Sequence, residues 1–144
     1  MNRACAALLL LGTLAACGPD IHEQEHQART LVFQKLSLPD QPVVVGPAVV
    51  ASDFAIVDWT RGSFNGGRAL LKWGPGGWSL ALCGGIPLRR RPIVEREGGV
   101  PDGAAGVLVT KLLREESQLN ADRREQIDRW GGLPASAGCP EARP

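Results

Sequence analysis

Apolar and polar positions recur with more than one rhythm along this chain, and the changes of rhythm mark its elements. Between Ile21 and Leu36 the residues Ile21, Ala28, Val32 and Leu36 fall on one stripe of a 3.6-residue period, which predicts a helix with that stripe buried. Asp20 and Glu23 match the D-x-x-E form of a capping box at its start, and Ser37-Leu38-Pro39-Asp40 ends it. From Val43 to Gly84 the pattern becomes short apolar runs between turn residues: Val43 to Val50 (broken by Gly46-Pro47), Phe54 to Thr60, Arg68 to Trp73, and Trp78 to Cys83. Such runs predict four strands in order, an antiparallel meander and not βαβ units. Phe64-Asn65-Gly66-Gly67 and Gly74-Pro75-Gly76-Gly77 offer residues that tolerate positive φ in tight hairpins. Alternation sets Trp78, Leu80 and Leu82 against Ser79, Ala81 and Cys83, and Ala69, Leu71 and Trp73 against Arg68, Leu70 and Lys72. One sheet face is expected to be bulky and apolar, the other mixed.

Residues 85–101, GIPLRRRPIVEREGGVP, hold three prolines and a basic triplet and read as a connecting loop, with at most a short helical turn near Ile93 to Glu97. Beyond Pro101 and a potential cap at Asp102, residues Ala105, Leu108, Val109 and Leu112 recur at helical spacing, predicting a core-facing helix to about Ser117. A final helix follows Asn120, turns Ile127 and Trp130 inward and stops at Gly131-Gly132. The expected fold is α+β: an N-terminal helix, a four-stranded antiparallel β-meander and two C-terminal helices packed on the sheet. One domain spans residues 17–132, and 133–144 form a tail.

The N-terminus changes the picture from a plain globular domain to an envelope protein. Arg3 precedes the apolar run from Ala6 to Ala16, too short to span a membrane, so residues 1–16 read as a secretory signal peptide. Leu14-Ala15-Ala16-Cys17 resembles the lipobox of bacterial lipoproteins, and Leu14 occupies the place where an ordinary cleavage site needs a small residue. Cys17 is therefore the expected lipidation site, where two or three acyl chains (palmitate among them) give a stable membrane anchor. Gly18, not Asp, follows it, which points to the outer membrane under the sorting rule of enteric bacteria. Without residues 1–16, which carry Arg3 and no acid, 15 basic residues face 15 acidic ones, and nothing in this balance argues for nucleic acid. Cys83 and Cys139 remain in an oxidising compartment, either as one disulfide or as a buried thiol and a tail thiol.

His22-Glu23-Gln24-Glu25-His26 matches H-E-x-x-H, the pattern of many zinc proteases. The two His are four apart on one helix, yet they lie roughly 100° to 140° from its apolar stripe, toward solvent, and the chain has no third His. The match is read as fortuitous, with no catalytic residue assigned and His22, His26 and Cys83 only weak metal candidates. The glycine pairs lead into strands, not into a helix N-terminus, so they form no phosphate loop. Arg89-Arg90-Arg91 reads as a solvated loop partly balanced by Glu95 and Glu97, with contact to anionic lipid as the alternative. Trp59, Arg61, Arg68 and Trp73 form a candidate aromatic-basic interaction patch on the sheet.

Ala55-Ile56-x-x-Trp59-x-x-Gly62, then Gly66-Gly67-Arg68-Ala69-Leu70-Leu71, Trp78-x-x-x-x-Cys83 and Gly99-Val100-Pro101 together resemble the small bacterial copper uptake system-associated proteins. The resemblance covers roughly Gln27 to Gly131. Two departures are the lipobox and the proline-rich basic segment Ile86 to Arg96. The resemblance implies an association with copper acquisition and no defined mechanism. Cu(I) prefers thiolate and thioether ligands, and the only Met of the chain is Met1, so a Met-rich copper carrier is excluded by composition. The expected function is a lipid-anchored, periplasm-facing accessory or binding protein that is not an enzyme, with copper-transport or envelope proteins as partners. The alternative is an envelope structural or assembly lipoprotein without metal.

Overall fold

The computed structural model describes residues 20–63, 65–130 and Cys139. Helix α1 is Ile21–Leu36, and strands β1 (Val43–Ala51), β2 (Phe54–Arg61), β3 (Asn65–Gly74) and β4 (Gly77–Gly84) follow. They form one antiparallel sheet in the order β1-β2-β3-β4, the expected meander. A 3-10 turn (Ile86–Arg89) leads into α2 (Arg91–Gly98), α3 (Asp102–Glu116) and α4 (Ala121–Asp128).

The sheet is sandwiched, not half-solvated. On one face Ala28, Val32 and Leu36 of α1 pack on Ala55, Val57, Trp59, Ala69, Leu71, Trp78 and Cys83. On the other, Val94, Ala105, Leu108 and Leu112 of α2 and α3 pack on Ile56, Leu70, Leu82 and Leu88. Every residue of β2 from Phe54 to Thr60 is buried, as expected for a strand covered on both sides. The mixed second face of the sequence reading is thus a second core.

The single alternation read for β4 fails for a local reason. The register shifts between Leu70↔Leu82 and Leu71↔Leu80, so Ala81 is an extra residue in the edge strand. Trp78, Leu80 and Cys83 therefore join the α1 face, and Leu82 joins the α3 face. A second irregularity between Val45 and Ala48 absorbs Gly46-Pro47 and keeps β1 continuous to Ala51.

Other corrections concern caps, turns and the connector. The side chain of Asp20 makes no capping bond; the N–H of Gln24 donates to its carbonyl, and Glu23 accepts from Gln27 instead. Pro101, not Asp102, holds the N-cap position of α3, and Asp102 pairs with Arg91. The Asn120 side chain does cap α4, accepting from the N–H of Arg123 at 2.8 Å. Residues 86–98 are a 3-10 turn and a helix where a loop was expected: Pro92 sits in the first turn of α2, where a missing N–H costs nothing, and Gly99 ends it in the left-handed region at φ 64°. Asn65, Gly66 and Gly67 lie inside β3, not in the preceding turn, where Gly62 supplies the positive φ.

Those two glycines serve close approach. A Cβ on Gly66 would lie 2.6 Å from the carbonyl oxygen of Gln126, and one on Gly67 would press on Trp59 and Trp130. Bare backbone here lets α4 lie against β3, so that Trp130 meets Trp59 edge-to-face with ring centroids 5.5 Å apart.

Candidate functional site

Residues chosen from the sequence fall into three separate places. The first is the α1 face. His22 is exposed and stands 3.6 Å from Glu25, and His26 is also exposed; among the described residues no group of three His, Cys, Asp or Glu side chains gathers as a metal site. Cys83 is bonded to Cys139, with Cα atoms 4.9 Å apart, so its sulfur offers no thiolate. The disulfide settles the alternative that the sequence left open. Cys17 lies outside the described residues.

The second place is the expected aromatic-basic patch, and it is not a surface patch. Trp59 is 0% and Arg68 1% exposed. Arg61 lies with its guanidinium 6.0 Å from the centre of the Trp59 ring and donates to the carbonyl of Leu36 at 3.0 Å, closing the C-terminal end of α1. Of the four, Trp73 lines a groove, near the sheet end where β3 turns into β4. What defeats the patch is that both sheet faces carry helices.

Arg68 instead centres a buried ionic cluster. Its Nε donates to Glu116 Oε1 at 2.6 Å and its Nη2 to Asp128 Oδ1 at 2.7 Å. Arg89 adds contacts of 3.2 Å to Glu116 Oε2 and 3.6 Å to Asp128 Oδ2, so one member of the basic triplet is drawn inside. Asp58, directly across the strand pair, lies 3.8 Å from Arg68 Nε, and neither of its oxygens accepts a hydrogen bond. Burial first, then the charge of Glu116, push its carboxyl up to about 8, against the pull of Arg68 and Arg123. Asp58 thus keeps its proton at neutral pH, and the protonated carboxyl can donate toward Glu116. Burial pulls the Arg68 guanidinium down, but its hydrogen bond and attraction to Glu116, with the nearby Asp58 and Asp128, outweigh this and raise it above its ordinary value. The cluster ties β2, β3, the 3-10 turn, α3 and α4 together. Asp58, Glu116 and Asp128 were not singled out from the sequence; the available signal was an acid inside the apolar run Phe54 to Thr60.

The third place is the sheet end beside the start of α1. Trp73 and Trp78 pair across the β3–β4 hairpin edge-to-face, with ring centroids 5.1 Å apart. With Gly77, they line an open groove of about 400 Å³ whose other wall is His26, Gln27, Thr30, Leu31 and Gln34 of α1. A smaller cavity of about 250 Å³ joins Trp73 to Gln24 and to Ser52 and Asp53 of the β1–β2 turn. The N–H of Trp73 donates to the carbonyl of Asp53 at 2.8 Å, which locks the two turns side by side. No protein-family model, curated protein or solved structure matches this chain.

Proposed function

We propose that this chain is a lipid-anchored accessory domain of the bacterial envelope, facing the periplasm and associated with copper uptake through protein partners. The observation that carries the proposal is the Cys83–Cys139 disulfide. Such bridges persist in oxidising compartments, which is where the signal peptide and the Cys17 lipobox would send the chain. The copper association is supported by the sequence resemblance alone. With the sulfurs of Cys83 and Cys139 bonded to each other and that of Cys17 assigned to the lipid, cysteine supplies no soft ligand for Cu(I), so the chain acts by docking and not by carrying the ion. The outer membrane is the proposed destination. The chain is proposed not to be an enzyme.

Copper content under copper limitation tests this reading. A strain lacking the chain should hold less cell-associated copper than its parent, and the wild-type gene should restore it while Cys17→Ser should not. Unchanged copper in the deletion strain would remove copper uptake from the proposal. Loss of envelope integrity in its place would favour the structural or assembly role.

A further inference from the structure

The β3–β4 hairpin tip reads Trp73-Gly74-Pro75-Gly76-Gly77-Trp78, six residues without a charge; Pro75 and Gly76 are exposed and Trp73 half-buried, while Trp78 is buried beneath the tip with its ring against that of Trp73. The tip stands clear of the rest of the protein: a Cβ on Gly74 or Gly76 would meet nothing within 4 Å. Indoles combine an apolar body with an N–H donor, and Trp collects at the membrane–water interface for that reason. The first turns of α1 lie at the same end of the sheet, since Gln24, Ser52, Asp53 and Trp73 line one cavity and Trp73 is bonded to Asp53. Ile21, at the start of α1, is exposed there too.

Chain length sets how far this end can stand from a bilayer. Only three residue steps separate Cys17 from Asp20, a reach of about 10 Å when fully extended. We propose that the hairpin tip Gly74–Gly77, with the partly exposed Trp73 and with Ile21 beside it, is the membrane-contacting surface of the domain and rests in the interfacial layer of the bilayer that holds the Cys17 lipid. The inference rests on acylation of Cys17. Charged side chains around this end are Asp20, Glu23, Glu25, Asp53, Lys72 and Lys111, the last donating to the Val50 carbonyl; they are mostly acidic, so the contact is apolar and interfacial and does not depend on anionic lipid. The basic triplet belongs elsewhere: it follows the opposite end of β4, and Arg89 and Arg91 are paired with Glu116, Asp128, Glu95 and Asp102.

The full lipidated chain in vesicles of phosphatidylethanolamine and phosphatidylglycerol tests the orientation. An environment-sensitive fluorophore is placed at Pro75→Cys, on the tip, or at Ser63→Cys, on the exposed turn at the other end of the sheet, with the native bridge verified by unreduced mass. The Pro75→Cys probe should shift to the blue and be quenched by lipids bearing a nitroxide high on the acyl chain. The Ser63→Cys probe should do neither, and omitting phosphatidylglycerol should change nothing. Silence at both positions, in protein whose mass shows acylated Cys17, would overturn the orientation while leaving the anchor in place. A stronger response at Ser63→Cys would reverse it. An unacylated Cys17 would remove the anchor, and this inference with it.

Discussion

Asp58 and Arg68 face each other across β2 and β3, both buried, yet their closest approach is 3.8 Å, because the guanidinium is turned to Glu116 and Asp128. The cross-strand partner of the arginine is thus an acid whose carboxyl is pushed up, by burial first and then by the charge of Glu116. Its oxygens are orphaned as acceptors, and protonation removes that cost.

A pH dependence follows. In the unfolded chain Asp58 titrates near 3.8, in the folded one near about 8, so between these values the folded protein holds a proton that the unfolded chain has lost. The associated stability is complete below the lower value and is lost as pH rises through the upper one. Thermal unfolding should therefore show Tm falling from about pH 4 to about pH 8, and Asp58→Asn, which stays neutral, should flatten that slope. An unchanged slope in Asp58→Asn would mean that another group governs it.

Removing the guanidinium should cost far more than the cluster contributes in net terms, because it strands buried carboxylates. Arg68→Met is expected to lose about 3–5 kcal/mol in urea unfolding. Adding Glu116→Gln should recover part of the loss, since one fewer charge is then left uncompensated.

Glycine positions give a geometric test. Gly66→Ala places a methyl 2.6 Å from the Gln126 carbonyl, so α4 must shift, at a cost of about 1–3 kcal/mol. Gly76→Ala meets open space and should stay within about 0.5 kcal/mol. Equal effects at the two positions, measured by chemical denaturation, would deny the close packing of α4 on β3.

The disulfide closes a sequence separation of 56 and ties Cys139 to the end of β4. In the chain-entropy account a loop of that size contributes about 4 kcal/mol. Cys83→Ala with Cys139→Ala should lower stability by an amount of that order, and the wild-type protein should lose the same increment on reduction.

The meander, α1, α3 and a helix after Asn120 were legible because each rests on local rules: apolar periodicity and turn residues. What escaped depends on contacts between distant segments. Gly66 reads as a turn residue until α4 is seen lying on it. The switch of Leu82 to the other face depends on one extra residue, Ala81, which alternation cannot reveal. Trp59 and Arg68 resemble a surface patch because no local signal says that both faces of the sheet are covered. Cys83 and Cys139 allowed a bridge, and only the fold brings them together. Residues 86–98 conceal a helix because prolines dominate the reading, although Pro92 sits where a helix tolerates it.

The central claim is that the folded domain is held at a membrane through Cys17. Fractionation of cells expressing the wild-type chain and Cys17→Ser, with mass analysis of the N-terminal peptide, tests it most directly. The account predicts a wild-type protein in the detergent-extracted membrane fraction with a diacylglyceryl group on Cys17, and a Cys17→Ser protein released to the soluble periplasm with its Cys83–Cys139 bridge intact. Identical fractionation of the two proteins, with an unmodified Cys17, would contradict it.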